Sequence, residues 1–194
     1  RGAGGRERLM PADLTAPIDA QPGAGRPWRA AIGWVVALGA LFFSTYGLAN
    51  WAASVRADVG SIVFEWERAI PFWAWTIVPY WSIDAFYGLS LLICATRSEL
   101  HAQVKRLLTA QAIAVTCFLV WPLAFTFTRP ATEGFFGWMF DALMGFDKPF
   151  NQAPSLHIVL LVVIWARFAR HVPMWGRWLL DAWFALIALS VLTT

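Results

Sequence analysis

Apolar residues run along this chain in five long stretches that are separated by shorter polar segments. The stretches cover residues 30–52, 71–95, 107–128, 154–169 and 178–194. Most of them approach the roughly 20 apolar residues that a helix needs to cross a hydrocarbon core about 30 Å thick. The pattern therefore predicts an all-α fold, a polytopic transmembrane helix bundle with five spans.

The segment 133–147, between the third and fourth spans, has a different pattern. Apolar side chains recur in it at helical spacing, between acidic ones: Phe136, Met139, Phe140 and Leu143. The segment is too short to cross a membrane, so we predict a short interfacial helix in the 129–153 loop, lying on the outer leaflet. The alternative is a plain connecting loop that packs on the bundle.

Residues 1–28 are rich in Gly, Pro, Ala and Arg and lack apolar periodicity, which predicts a disordered tail. The tail has no early apolar core of a signal peptide, so we expect the first span to remain in the mature protein. Residues 29–194 form the membrane domain in this interpretation. The chain begins with Arg1 and stops inside an apolar run, and we expect it to be a piece of a longer protein.

Composition strengthens the membrane prediction and narrows the chemistry. Hydrophobic residues make up 59% of the chain and charged residues 14%, whereas a soluble domain carries about 25% charged residues. No basic stripe follows a polar helix, which argues against nucleic acid as a partner. Cys94 and Cys117 lie inside apolar runs without metal-ligand spacing, so we expect neither a disulfide nor a bound metal or other cofactor.

The placement of Lys and Arg predicts the orientation. Eleven of the fifteen basic residues fall in the tail and in every second loop, and four fall in the other two loops. Cytoplasmic segments carry the excess of basic residues. We therefore predict a cytoplasmic-membrane protein with its N-terminus and tail in the cytoplasm, and with the loops 53–70 and 129–153 outside.

Polar residues that suit phosphate chemistry gather at this predicted outer face. Arg129 follows the third span, Lys148 and Asn151 precede the fourth, and Ser155 and His157 open it. An arginine can hold two phosphate oxygens and stays charged, a serine can donate a hydroxyl, and a histidine can protonate a leaving group. These residues also have structural alternatives: a serine before a helix is usually a cap, and an arginine at the end of a span usually extends its charge to the water interface.

Pro154 indicates where the fourth span begins, because a missing N–H costs nothing at the first helical position. The first turn then offers free backbone N–H groups and the positive end of the helix dipole to an anion. Ser155 and His157 are two residues apart, or about 200° around a regular helix. They share one pocket only if Ser155 is in the non-helical cap, and we expect it there.

Asp84 is the one clearly intramembrane acid among the predicted spans. An acid at that depth is costly and is paired or functional. It either orients a residue of the pocket or makes a structural hydrogen bond to Tyr80, Ser82 or Tyr87, and the structural role is favoured.

The dipeptide Arg129-Pro130 and the tetrapeptide Pro154-Ser155-Leu156-His157 resemble the first two signatures of the type 2 phosphatidic acid phosphatase superfamily. The stretch 146–158 is similar to a bacterial branch near the inositol phosphorylceramide synthase-like group. The resemblance implies a six-helix bundle, of which five helices would be present, and a metal-free phospho-histidine mechanism. It implies that Arg129 and Ser155 bind phosphate and that His157 is the general acid.

The chain also departs from that family's pattern. Pro122 stands where the family has Lys, and Lys148 is our candidate for the missing charge. Val191 stands where the third signature has Arg, and the nucleophilic His would fall three positions beyond Thr194. A protein that ended at Thr194 would therefore be inactive. In some members a soluble dual-specificity phosphatase domain follows the membrane part, which makes a fused domain beyond residue 194 a further expectation.

These observations favour a membrane-embedded lipid phosphatase or phosphotransferase, acting on a lipid phosphate or diphosphate from the outer leaflet. His157 is the predicted catalytic acid, Arg129, Ser155 and Lys148 bind phosphate, and Asn151 and Asp84 support them. The alternative is a membrane transporter or assembly subunit without enzymatic activity. A transporter would need polar groups through the whole membrane depth, and Asp84 alone lies there.

Overall fold

The computed structural model describes residues 25–193, which fold into six α-helices and no β-strand. The helices are α1 (Trp28–Ser54), α2 (Ile77–Leu92), α3 (Arg97–Val120), α4 (Gly134–Phe146), α5 (Leu156–Phe168) and α6 (Met174–Thr193). The all-α prediction is confirmed. The predicted disorder of the tail falls mostly on residues 1–24, outside the described residues.

Three helices of this described part, α1, α3 and α6, are long and apolar enough to cross a membrane. α5 is a shorter apolar helix of 13 residues, and α2 has 16. Large apolar side chains face outward on the long helices, with Val36 66%, Val120 72% and Met174 91% exposed. Isolated apolar residues are common on soluble proteins, but contiguous apolar helix surfaces of this kind mark a membrane protein.

Two predicted spans have different limits in the structure. The third was predicted over 107–128, but α3 begins ten residues earlier and ends at Val120. It begins early because Thr96 caps its first turn by accepting a hydrogen bond from Glu99 N. It ends there because Pro122 disfavours helical geometry in the residue before it, and an extended segment follows. The second predicted span starts at 71, whereas regular helix starts at Ile77 after two short 3-10 turns.

The helices pack around α2, α3 and α5. α3 lies against α1 and α5, while α2 lies against α1, α5 and α6. Two glutamines of α3 hydrogen-bond across this apolar core: Gln103 to Ser90 of α2 at 3.2 Å, and Gln111 to Thr45 of α1 at 2.7 Å. Such bonds between helices fix their register where apolar packing alone has little directional preference.

The helix predicted within 133–147 is present as α4, so the alternative of a plain loop is wrong. Its apolar side, with Met139 and Phe140 buried, packs near the start of α2. Gly137 permits the turn into this helix, because a Cβ atom there would collide with the Thr132 carbonyl. α4 therefore covers one end of the bundle, where the candidate residues are found.

Candidate functional site

Three connecting segments are joined by backbone hydrogen bonds at the end of the bundle where α5 begins. Ala124 N donates to the Gly60 carbonyl and Phe125 N donates to the Pro149 carbonyl, each at 2.8 Å. Gln152 links the same segments through its side chain, which donates to the Ile62 carbonyl at 3.1 Å. These bonds hold the loop that carries Arg129 against the loop that precedes α5.

A cavity of about 710 Å³ lies between these loops and the helix ends. All six residues that the sequence singled out line it: Asp84, Arg129, Lys148, Asn151, Ser155 and His157. They come from α2, from two separate loops and from α5. We call this end of the bundle the cavity end. The sequence pattern grouped five of these residues at one face and placed Asp84 within a span, and the fold collects all six around one space large enough for a phosphate head group.

Ser155 caps α5, as predicted. Its φ of −64° and ψ of 105° are non-helical, and its hydroxyl oxygen accepts a hydrogen bond from Ile158 N at 3.4 Å. The hydroxyl proton is not used by this bond and can be donated to a ligand in the cavity. Pro154 differs from the prediction: it precedes the cap, and the first helical residue is Leu156. The helix starts later because the Ser155 side chain takes the capping position that begins the hydrogen-bonded turn.

His157 is held by Tyr80 of α2 in two ways. The imidazole stacks on the phenol ring with centroids 4.0 Å apart, and Nε2 lies 3.0 Å from the Tyr80 carbonyl oxygen. A carbonyl only accepts hydrogen bonds, so Nε2 carries the proton of this contact. Nδ1 is then the nitrogen left to exchange a proton with a ligand, and the group that orients the ring is a backbone carbonyl rather than an acid.

Arg129 places a half-buried guanidinium in the cavity wall. The group lies over the Phe140 ring, 5.0 Å from its centroid, and Nε is buried without a hydrogen bond. No carboxylate of residues 25–193 lies within ion-pair distance of it. Burial lowers the pKa of Arg129, and the nearby Tyr80 and Asp147 oppose that shift. The group nonetheless stays charged, because the ordinary arginine pKa is far above neutrality.

Lys148 and Asn151 occupy the loop before α5. Lys148 is exposed, whereas Asn151 is 6% exposed and adopts a φ of 63°. Asparagine is one of the few residues with a side chain that tolerates this left-handed conformation. Neither amide atom of Asn151 makes a hydrogen bond of ordinary geometry, although the Tyr46 hydroxyl is close. A buried polar group in this condition calls for a water molecule or a ligand.

Asp84 lies on the cavity wall without the hydrogen bonds expected for it. Within residues 25–193 no hydrogen bond joins it to Tyr80, Ser82 or Tyr87; the Ser82 hydroxyl donates to the Pro79 carbonyl and accepts from the Trp183 indole. Trp183 belongs to α6, and a contact between α2 and α6 was not visible in the sequence pattern. Asp84 therefore faces the cavity rather than a structural partner.

Asp147 and Tyr46 are two further polar residues of the cavity that the sequence pattern did not assign to the site. The carboxylate of Asp147, at the end of α4, accepts a hydrogen bond from the Tyr46 hydroxyl of α1 at 2.8 Å. Burial raises the pKa of Asp147, while the Tyr46 hydrogen bond and the Arg129 charge partly offset that shift. One signal was present: Tyr46 and Asn50 are four residues apart, which puts both on one face of an apolar helix.

Comparison of the chain with protein-family models, with curated proteins and with solved structures finds no match. In residues 25–193, no cluster of three or more His, Cys, Asp or Glu side chains suits a metal ion. The function is therefore inferred from the cavity and from the chemistry of its side chains.

Proposed function

We propose that this protein is a membrane-embedded lipid phosphatase or phosphotransferase that acts on a lipid phosphate or diphosphate. The observation that carries the proposal is the unpaired Arg129 guanidinium in a cavity that also contains Ser155 and His157 at the start of α5. A half-buried cation without an acid partner favours the binding of an anion, and the helix start supplies further donors to it. A phosphate group meets both demands.

The phosphate is held by groups of different reach. Arg129 offers its guanidinium from the loop after α3, and Ser155 offers its hydroxyl proton from the cap. Lys148, exposed on the adjacent loop, supplies a second positive charge at the cavity mouth. A dianionic phosphate is thereby neutralised by two side chains, and the charge that develops on its oxygens during transfer is stabilised in place.

His157 acts as the general acid. With Nε2 fixed on the Tyr80 carbonyl, the protonated ring presents Nδ1–H to the oxygen of the departing alcohol. The Tyr80 carbonyl accepts the Nε2 proton before and after the transfer, so the ring keeps one orientation throughout. The proposal places the nucleophilic histidine of a phospho-histidine mechanism outside residues 1–194, and Val191 of α6 lines the cavity on that side.

In this proposal the chain crosses the cytoplasmic membrane five times within the described residues, with a sixth span and an optional fused dual-specificity phosphatase domain beyond residue 194. α2 and α5 cross together with their flanking segments, because neither helix alone spans about 30 Å. The cavity end faces outward, as the loop charges favour. α4 lies at the outer interface beside the cavity, where a lipid head group enters from the outer leaflet.

The acid assignment is tested by phosphate release from a short-chain lipid phosphate, using the natural full-length protein in detergent. We expect His157→Ala to lower the rate about 10²–10⁴-fold, the usual contribution of a general acid. The loss should shrink when the leaving alcohol is replaced by p-nitrophenol, which departs without a proton. His101→Ala, exposed on α3 at the opposite end, is the matched control. An undiminished rate in the His157 variant would remove the acid role.

The orientation is tested separately by labelling intact cells with an impermeant thiol reagent. A cysteine at Glu133, exposed before α4, should react, whereas a cysteine at Arg170, exposed after α5, should be protected. The reverse pattern would turn the cavity toward the cytoplasm and would exclude a substrate from the outer leaflet.

A further inference from the structure

A cluster of polar side chains lies beside the phosphate site and has no part in the mechanism given above. Tyr46 and Asn50 of α1 meet Asp147 and Asn151 near the base of the α4–α5 loop. Asn50 is 2% exposed and Asn151 is 6% exposed. The two pairs come from segments about 100 residues apart in the sequence, so only the fold brings them together.

The hydrogen bonds of this cluster are incomplete. Tyr46 donates to Asp147 Oδ1, but neither amide of Asn50 and Asn151 makes a hydrogen bond of ordinary geometry. The Asn50 amide lies near the Asp147 carboxylate and the Asn151 amide lies near the Tyr46 hydroxyl, yet the four amide atoms make no hydrogen bond of good geometry. Almost all buried polar groups in proteins are satisfied. The cluster therefore has room in its hydrogen-bonding pattern for a small molecule that both donates and accepts, such as a hydroxyl group.

The charges around the cluster decide which ligand fits it. Asp147 lies close enough to Arg129 for their charges to interact, yet the two do not form an ion pair in the described chain. An anion is repelled by the Asp147 carboxylate and attracted to Arg129. A phosphate at Arg129 and a neutral hydroxyl at Asp147 are then neighbours in one cavity, which is the arrangement that phosphoryl transfer to a hydroxyl needs.

We propose that Tyr46, Asp147 and Asn151 form the subsite of the attacking hydroxyl, from water or an alcohol, and that Asp147 is its general base. The proposal rests on the proposed function and names the second substrate of the same site. The acceptor's O–H bond breaks and its proton goes to the Asp147 carboxylate. The acceptor oxygen forms a bond to the phosphorus of the phospho-histidine, and the P–N bond breaks with its electron pair remaining on the histidine nitrogen.

Each group has a distinct task in this step. Tyr46 donates a hydrogen bond to Asp147 Oδ1 and so fixes the orientation of the carboxylate. The Asn151 amide, buried at the cavity wall, provides a donor and an acceptor for the same hydroxyl. His157 keeps its role on the departing alcohol, in the earlier step that forms the phospho-histidine. The assignment separates the acid and the base of the reaction onto α5 and the end of α4.

The first test compares the two acceptors. With a short-chain lipid phosphate as donor, incorporation of ¹⁸O from labelled water reports hydrolysis, and phosphate ester formed from added glycerol reports transfer. We expect Asp147→Asn in the full-length protein to lower both rates about 10²–10⁴-fold. Loss of one product alone assigns the subsite to that acceptor. Asp58→Asn, at an exposed acid outside the cavity, should keep the full rate.

A second readout separates a base from a structural residue. Formate, a small carboxylate, should restore part of the rate to Asp147→Ala, where space is left for it, but not to Asp147→Asn. A p-nitrophenyl leaving group should rescue the His157 variant and leave the Asp147 variant slow. If formate fails to rescue and the leaving group rescues both variants, Asp147 is not the base.

The pH profile gives the third readout, in a cavity that contains other titratable groups: Tyr46, Tyr80, Asp84, Arg129, Asp141, Lys148 and His157. Because the Tyr46 hydrogen bond lowers the pKa of Asp147, Tyr46→Phe should move the acid limb of the rate to higher pH. Asp147→Asn should abolish that limb. A full rate and an unchanged acid limb in Asp147→Asn would overturn the base assignment and leave the phosphate site intact. An inactive unmodified protein would overturn both.

Discussion

The two ends of the bundle each contain a partly or fully buried arginine, and only one of these arginines is paired with an acid. At the end away from the cavity, Arg167 of α5 is 3% exposed and its guanidinium contacts the Glu99 carboxylate of α3 at 2.7 Å. The same Glu99 carboxylate accepts the Ala95 backbone N–H. At the cavity end, Arg129 has no acid at ion-pair distance. Both arginines leave a buried Nε without a hydrogen bond, so the acid partner is the difference.

The comparison distinguishes an arginine that is paired with an acid of the same chain from an arginine that has no acid partner. The Arg167–Glu99 pair joins α3 to α5 and neutralises both charges within the chain. Arg129 lies over an aromatic ring and near the charge of Asp147, without an acid partner at ion-pair distance, and in the proposed function a phosphate supplies that partner. A half-buried cation in a cavity is therefore better evidence of a site than the same residue type in a closed contact.

The largest expected effect in this comparison is on activity. Arg129→Ala should lower phosphate release about 10²–10³-fold, the usual result of removing one group that stabilises the transition state. Its thermal unfolding midpoint in detergent should stay near that of the unmodified protein, since no ion pair is lost. Arg129→Lys should recover only part of the rate, because an ammonium cannot hold two oxygens of a phosphate. A large drop in the midpoint would make Arg129 a structural residue.

Arg167→Ala should show the opposite pattern. Removing one partner of a fully buried ion pair costs about 3–5 kcal/mol. The Glu99 side chain is 38% exposed, so we expect about 2 kcal/mol here, since solvent screens the remaining charge. The unfolding midpoint should fall, while the rate measured well below it should be retained. An unchanged unfolding midpoint together with a lost rate of phosphate release would contradict the structural role of Arg167.

The two helix caps sharpen the comparison at a smaller scale. Thr96 caps α3 at the end away from the cavity, and Ser155 caps α5 at the cavity end, each through its side-chain oxygen. Replacing either with Ala should lower stability by about 1 kcal/mol. Ser155→Ala should in addition raise the KM for the lipid phosphate, and Thr96→Ala should not. If both variants changed the KM equally, Ser155 would have no role in binding phosphate beyond capping α5.

The smallest expected effect concerns pH and stability. Burial raises the pKa of Asp147 in the folded protein, so the folded state is relatively destabilised once the pH rises through that value. Asp147→Asn removes the buried charge and should raise the unfolding midpoint by roughly 2 °C at pH 8. The gain should vanish in acid, where the native carboxyl is also neutral. A gain that persists in acid would have a different cause, such as improved packing.

Much of the fold was readable from the chain. The apolar stretches indicated the helices α1, α2, α3, α5 and α6, and the spacing of Phe136, Met139 and Phe140 indicated α4. Helical periodicity is local, so it needs no knowledge of neighbours. The limits of the helices were less accurate, because an apolar run does not show where a cap such as Thr96 or a following proline sets an end. Five membrane passes remain a prediction beside the three helices long enough to span.

The sequence by itself determined the helices, the membrane character and the residue types at the start of α5, because these depend on neighbours along the chain. The tertiary structure alone decided that Tyr80 holds the imidazole of His157 and that Tyr46 meets Asp147, 101 residues away. A side chain's partner depends on which helices pack together, and apolar helix surfaces of similar composition do not encode that choice in a local pattern. The cavity exists only after that packing is complete.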